Sequence, residues 1–437
     1  MTYPAAFKID ARWPKSASNG ERDVAHMSIW AEGEALTRLV DFSAKEERDY
    51  FRSSAVSLAF WFADNWWRLR YEALRDNRFP DANWRLHHEL TSASGGTRWP
   101  PLMFNSTGER VLIAPIFGRP VQEGSLRYIA PQVHSVSGAQ FEAGVDDFFS
   151  LVLRACANAQ DVDALAALVS DLKAERAAPD IASWRRLEAR LGYNPDQLPQ
   201  SLSDRFEQLE VTVGEEGVNE AAAAVPGARS AETLDRALDA SRTSGIVVEL
   251  EVAKAISRSR IKSGAAPPWQ LGEEAAHQLR QQQAIPDGPL RSKAFSELFA
   301  ATTATLREPP ATARQLAYAA RLKDRGSKHK IALQSSAMHD RRFELACVLG
   351  DAIWAASDFG VVSKAKTDRQ KFQRAFAQNL LVPYADLKAH LPNGEPTQDD
   401  IDRCARTFHV NPRAIRRLLI LKNVIRQETL EEQLEAA

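Results

Sequence analysis

Apolar residues recur at helical spacing over most of this chain, and period-two alternation is confined to short stretches. His26 to Leu39 reads as a hairpin turning at Glu32-Gly33. A long helix is predicted over Lys45 to Leu74, where Ala55, Leu58, Ala59, Phe62, Trp66, Leu69 and Ala73 share a face that Trp61 and Trp67 widen. The stretch SGGTRWPPLMF interrupts this pattern as loop or extended chain. Val111 to Phe117 and Arg127 to Val136 have strand composition, with Pro115 and Pro131 placing them at sheet edges. A helix from about Phe141 to Ala157 closes a small α+β domain over residues 1–160.

From Asp161 to Ala224 the pattern is almost wholly helical. Asp180 and Ser183 offer N-cap oxygens ahead of Trp184, and Gly192-Tyr193-Asn194-Pro195 marks a turn. Val225-Pro226-Gly227 and Ser241 to Gly245 read as joints, so residues 161–245 are expected to form a helical connector domain. A helix-turn-helix reading of this part is disfavoured, because Arg185, Arg186 and Arg190 precede the turn instead of following it. The remainder, 246–437, alternates helices with short extended segments. Two of its helices are strongly patterned: Arg341 to Trp354, with Phe343, Leu345, Ala346, Leu349, Ala352 and Ile353, and Asp368 to Pro383, with Phe372, Phe376, Ala377, Leu380 and Leu381. The fold class expected is α+β, predominantly helical.

Composition adds mainly exclusions. At 437 residues two or three domains are expected. A net charge of −1 gives no global attraction to nucleic acid or an anionic membrane, and no apolar run approaches the ~20 residues of a spanning helix. Three scattered cysteines, Cys156, Cys347 and Cys404, argue against a disulfide framework, and the first residues lack the order of a secretory signal. A cytoplasmic protein without a membrane partner is therefore expected. Seven of the ten tryptophans fall in the first 99 residues. Phe60, Trp61, Phe62, Trp66 and Trp67 with Arg68, Arg70, Arg75 and Arg78 suggest a stacking platform for single-stranded nucleic acid or nucleotide, but aromatics at helical spacing are better read as core. His87, His88 and Glu89 invite a metal reading, which the ~100° between successive helical residues disfavours. Phosphate-loop, dinucleotide, nucleophile-elbow and C-x-x-C motifs are absent. Basic stretches occur at Lys254–Lys262, Arg321–Lys330 and Arg413–Arg426.

The segment RRFELACVLGDAIW, Arg341 to Trp354, resembles the zinc-binding helix of the ImmA/IrrE metallopeptidase family, whose motif reads roughly RRFTLAHELGH. Asp368 to Pro383, DRQKFQRAFAQNLLVP, resembles the helix after it, roughly E-x-x-A-N-x-F-A-x-x-L-L-M-P. The likeness runs in order from about Trp269 to Ile425: an opening helix with a turn at Pro286–Pro289, the short helix Ser292–Phe299, an edge strand at His329–Gln334, and a helix-turn-helix-like tail turning at Phe408–Pro412. It implies a zincin-like domain over 246–437.

In that family two histidines at i and i+4 hold zinc with a carboxylate from the next helix, and a glutamate activates the bound water. Aligned on the motif, Cys347 stands at the first histidine, Val348 at the glutamate, Asp351 at the second histidine and Gln370 at the carboxylate. A valine cannot accept a proton, so no catalytic residue is expected. Cys347 and Asp351 share a helix face, but two ligands beside a neutral amide make a weak site, so neither zinc nor another cofactor is expected. His339, just ahead of the helix, has no spacing that favours it over a loop histidine. The expected function is that of a non-catalytic ImmA/IrrE-like protein acting through protein interaction. The resemblance implies a helix-turn-helix repressor, or a component of a mobile-element, stress-response or phage-defence system, as its partner. The alternatives are a DNA-binding regulator using Arg413, Arg416, Arg417 and Lys422, and an enzyme with altered metal chemistry at Cys347 and Asp351.

Overall fold

The computed structural model describes residues 7–14, 23–74, 80–93, 99–116, 125–129, 132–256, 266–307 and 316–425. The chain divides into two compact units, Met1–Leu198 and Pro199–Glu432. The main core of the first draws its buried residues from Phe7 to Ala189, and that of the second from Val248 to Leu419. The expected connector of 161–245 is not a unit of its own. Val162, Leu165, Val169 and Leu172 are buried in the first core, while the helices from Gln200 onward belong to the second unit.

In chain order the first unit runs β1 (Phe7–Arg12), β2 (Val24–Ala31), β3 (Glu34–Ala35), β4 (Leu39–Asp41), β5 (Glu46–Arg48), β6 (Phe51–Ser54), α1 (Ala55–Tyr71) and α2 (Ala82–His88). It continues with β7 (Leu102–Ser106), β8 (Arg110–Pro115), β9 (Leu126–Tyr128), β10 (His134–Ser137), α3 (Gly138–Ala155), α4 (Val162–Ala177) and α5 (Pro179–Leu191). The hairpin forms where expected: Glu32 and Gly33 have φ of 49° and 88°, the positive pair that a two-residue turn between twisted strands requires. Among the described residues three antiparallel sheets result, of β1, β2, β3 and β6, of β10-β8-β7, and of β5-β4-β9.

Several expected boundaries move. The first helix begins at Ala55, not Lys45, because β5 and β6 pair with β4 and β2, and Ser54 Oγ then caps the helix by accepting from Ser57 N at 2.9 Å. β8 is the central strand of its sheet. Pro115 is tolerated there as its last residue, while Val111 to Ala114 are buried; Pro131 lies outside the described residues. The expected strand from Arg127 splits into β9 and β10 in different sheets. α5 starts at Pro179 after Ala178, so Asp180 and Ser183 lie inside the helix and do not cap it.

The aromatic stripe is core. Trp61, Phe62, Trp66 and Trp67 are buried, and Phe62 meets Phe104 at a ring separation of 5.6 Å. Arg68 and Arg70 are buried as well, and Arg75 and Arg78 lie outside the described residues.

The second unit runs α6 (Gln200–Ala224), α7 (Arg229–Ser244), β11 (Ile246–Glu249), α8 (Pro268–Gln282), α9 (Ser292–Glu297), α10 (Thr303–Arg307), β12 (Ala319–Lys323) and β13 (Lys328–Ala332). Then come α11 (Met338–Trp354), β14 (Phe359–Val362), α12 (Asp368–Leu381), α13 (Tyr384–Lys388), α14 (Gln398–Phe408) and α15 (Pro412–Leu421). Its antiparallel sheet has the order β11-β13-β12-β14, so β13 is an interior strand and not the expected edge. The reason is β11, where Ile246, Val247 and Val248 add a strand outside it. α12 packs against both α8 and α11. The tail is a helix pair joined at His409, Val410 and Asn411, with His409 in the left-handed conformation. Among the described residues no helix is long and apolar enough to cross a membrane.

Separate cores predict separate folding. Expressed individually, residues 1–198 and 199–437 are each expected to give a cooperative thermal transition by circular dichroism; a featureless melt from either fragment contradicts this.

Candidate functional site

α11 carries Leu345, Cys347, Val348, Leu349, Asp351 and Ile353 into the interior of its unit, and with them a carboxylate. Removing an ion of that size from water costs several kcal/mol unless the interior supplies compensating charge and hydrogen bonds. Three side chains converge on Asp351 to do so. Arg321, from β12, donates from Nε and Nη2 to Oδ2 at 3.1 and 2.8 Å. Arg369, in the first turn of α12, donates from Nε to Oδ1 at 2.7 Å, and Gln373 Nε2 donates to the same oxygen at 2.7 Å.

The guanidiniums are themselves held. Ser357 accepts from Arg321 Nη1 through its carbonyl at 3.0 Å and from Arg369 Nη2 through Oγ at 3.3 Å. Glu216 lies 3.5 Å from Arg369 Nη1. Asp351 is wholly buried, with Arg321 at 2% and Arg369 at 4% exposure, so this is a buried ionic network. Burial works to raise the Asp351 carboxyl, but Arg369 and Arg321 outweigh it and hold it below the usual carboxylate range. The close approach also needs Gly360 on β14, where a Cβ would collide with Asp351 Oδ2.

The other positions aligned with the zinc motif are built differently. Cys347 lies in the apolar core, and burial pushes its thiol up, away from the thiolate that binds metal. Val348 is wholly buried in the same core. Gln370 donates from Nε2 to Val361 O at 2.8 Å and Glu220 Oε2 at 2.9 Å, while its Oε1 accepts from Ser363 N at 2.9 Å. This donor set does not fit zinc. Both Asp351 oxygens already take hydrogen bonds from guanidiniums, and a dication there would face two fixed positive charges. Among the described residues no three His, Cys, Asp or Glu side chains are arranged to hold a metal ion.

The remaining candidates separate in space. His339 is in the first turn of α11, not in a loop, about 18 Å along the axis from Asp351 at 1.5 Å per residue. In the first unit, His88 is buried with Nδ1 2.7 Å from Phe104 O and Nε2 3.0 Å from Glu72 Oε2, while Glu89 pairs with Arg85. On α15, Arg413 is exposed, Arg416 and Arg417 are half-buried, and Lys422, just past its end, pairs with Glu273 at 3.1 Å. The basic surface there is smaller than the sequence pattern implies.

Arg321, Arg369, Gln373 and Gly360 carry no sequence motif that marks them as site residues. The signal in sequence was Asp351 itself: a carboxylate amid Leu349, Gly350, Ala352 and Ile353 demands a cation, although spacing alone does not say which.

Asp351→Ala leaves two buried guanidiniums uncompensated and is expected to destabilise the second unit by about 3–5 kcal/mol in urea unfolding; a change within experimental error contradicts the network's role. Two pH windows are also expected. Burial first, then Arg321 and Lys323, lowers His329 from 6.5 to about 4, so the stability of its neutral form is lost as pH falls between those values. Asp351, depressed in the folded state, adds its loss only as pH falls further, through its lowered folded value. His329→Gln should flatten the upper window and leave the lower one.

No family model matches the chain, and no curated protein and no solved structure matches it, so function is argued from the residues themselves.

Proposed function

We propose that this protein is a non-catalytic relative of the ImmA/IrrE peptidases that works in the cytoplasm by binding a protein partner. The observation that carries the reading is the ionic network at Asp351. Where the resemblance places a zinc ligand, Asp351 is neutralised by Arg321 and Arg369. Fixed guanidiniums supply positive charge and hold β12, α11 and α12 together, but they have no open coordination position at which a water could be activated. The adjacent Val348 has no atom that can take a proton.

Under this reading the zincin-like arrangement of 246–437 survives as a scaffold, and its substrate-binding surface becomes a docking surface. The partner class follows from the resemblance: a helix-turn-helix repressor, or a component of a mobile-element, stress-response or phage-defence system. Output then comes from sequestration or assembly.

Affinity capture of the full chain from its native host, with cross-linking and mass spectrometry, tests this. The expected result is a specific helix-turn-helix or defence-system protein, recovered intact and equally well with or without a chelator. Cleavage of that partner in a chelator-sensitive reaction would refute the reading, as would capture of nothing specific. A mobility shift with duplex DNA that falls steeply with salt would replace it with the DNA-binding alternative through Arg413, Arg416, Arg417 and Lys422.

A further inference from the structure

The end of α11 remote from Asp351 borders a cavity of about 140 Å³, walled by α9, α10, the first two turns of α11 and the link between α14 and α15. Among the described residues, four groups able to carry positive charge line it: Arg307, His339, Arg342 and His409. No Asp or Glu is among its described lining residues. Arg342 is 8% exposed; Nη2 donates to the Leu290 carbonyl, and the guanidinium lies over the Phe295 ring at 4.3 Å. Its buried Nε has no partner among the described residues, and neither does the buried Nδ1 of His339.

An orphaned donor on a buried charged group is costly, and here Arg342 Nε lines the same cavity as the unpartnered Nδ1 of His339. Burial lowers Arg342 to about 10, with no carboxylate among the described residues acting against it. Burial, then Arg342, His339 and Arg307, lowers His409. α11 also starts after Ala337, which has no side-chain oxygen to cap the helix, so the positive end of its dipole adds to the same field. The rest of the wall is apolar, from Phe295, Leu306, Met338 and Leu345.

We propose that this cavity binds a small organic anion, with its carboxylate or phosphate oxygens on Arg342 and His339 and an apolar body against Phe295, Leu306 and Leu345. A cavity of about 150 Å³ accepts a benzene-sized body, which sets the scale of the ligand. Ser292 and Thr303 supply further hydroxyls at the wall. Because His409 belongs to the link between the tail helices, an occupant bridges that link to α11 and α10. The inference is independent of the partner-binding reading.

Titration calorimetry on the full chain with benzoate, phenyl phosphate, inorganic phosphate and neutral benzamide tests it. At least one of benzoate and phenyl phosphate should bind saturably at millimolar concentration or below. Benzamide should be weaker than benzoate, and inorganic phosphate weaker than phenyl phosphate. Arg342→Gln should weaken the bound anion by about tenfold or more, the scale of a charge-assisted hydrogen bond. Arg342 also anchors the Leu290 carbonyl, so His339→Leu is the second variant, with circular dichroism reporting the fold of each. A folded His339→Leu or Arg342→Gln protein with unchanged affinity overturns the proposal. So does benzamide binding as tightly as benzoate, phosphate as tightly as phenyl phosphate, or no saturation with either organic anion.

Discussion

Asp351 joins elements that lie far apart in the chain: Arg321 reaches it from thirty residues earlier and Arg369 from eighteen residues later. The network fixes β12, α11 and α12 relative to one another, because each bond has a short length and a defined direction. It also bears on strand register. Side chains alternate between the faces of a strand, so a one-residue slip of β12 would point Arg321 away from Asp351 and strand a buried charge. Hydrophobic residues of the same volume could pack the same space at similar stability, but they would not punish a wrong register to the same degree.

The first unit holds an independent example of the same physics. Glu72 is 1% exposed and takes hydrogen bonds from Arg68 Nε at 2.6 Å and from His88 Nε2 at 3.0 Å. Burial works to raise its carboxyl, and His88 and Arg68 outweigh that and hold it at about 2. His88 stacks on Trp84 at 4.1 Å and faces the Phe104 carbonyl, so it joins α2 to β7. A histidine pair that looks like metal-binding chemistry in sequence is in part a device for burying a carboxylate.

The two ends of α11 differ in a way that bears on function. Around Asp351 the carboxylate is paired with two guanidiniums, one of which also faces Glu216. Around Arg342 a positive charge is buried with its Nε left without a partner among the described residues, beside the unpartnered Nδ1 of His339. Paired charges at Asp351 support structure, whereas the orphaned Nε of Arg342 marks a place where the folded chain has interaction to offer.

Much of the helical framework was legible from periodicity, because amphipathic spacing records which face meets a core. α11, α12 and the tail pair follow directly from it. Strand partners were less legible. Ile246 to Glu249 is too short to declare itself, and Glu46 to Ser54 continues an apparently helical stretch, yet each forms strand because a neighbouring strand supplies hydrogen bonds. The sequence by itself determined that Val348 has no base to offer and that Asp351 is a carboxylate set in an apolar helix. Only the tertiary structure decided that Arg321 and Arg369 neutralise it and that no carboxylate among the described residues pairs with Arg342, because charge compensation depends on distances across the fold and not on spacing along the chain.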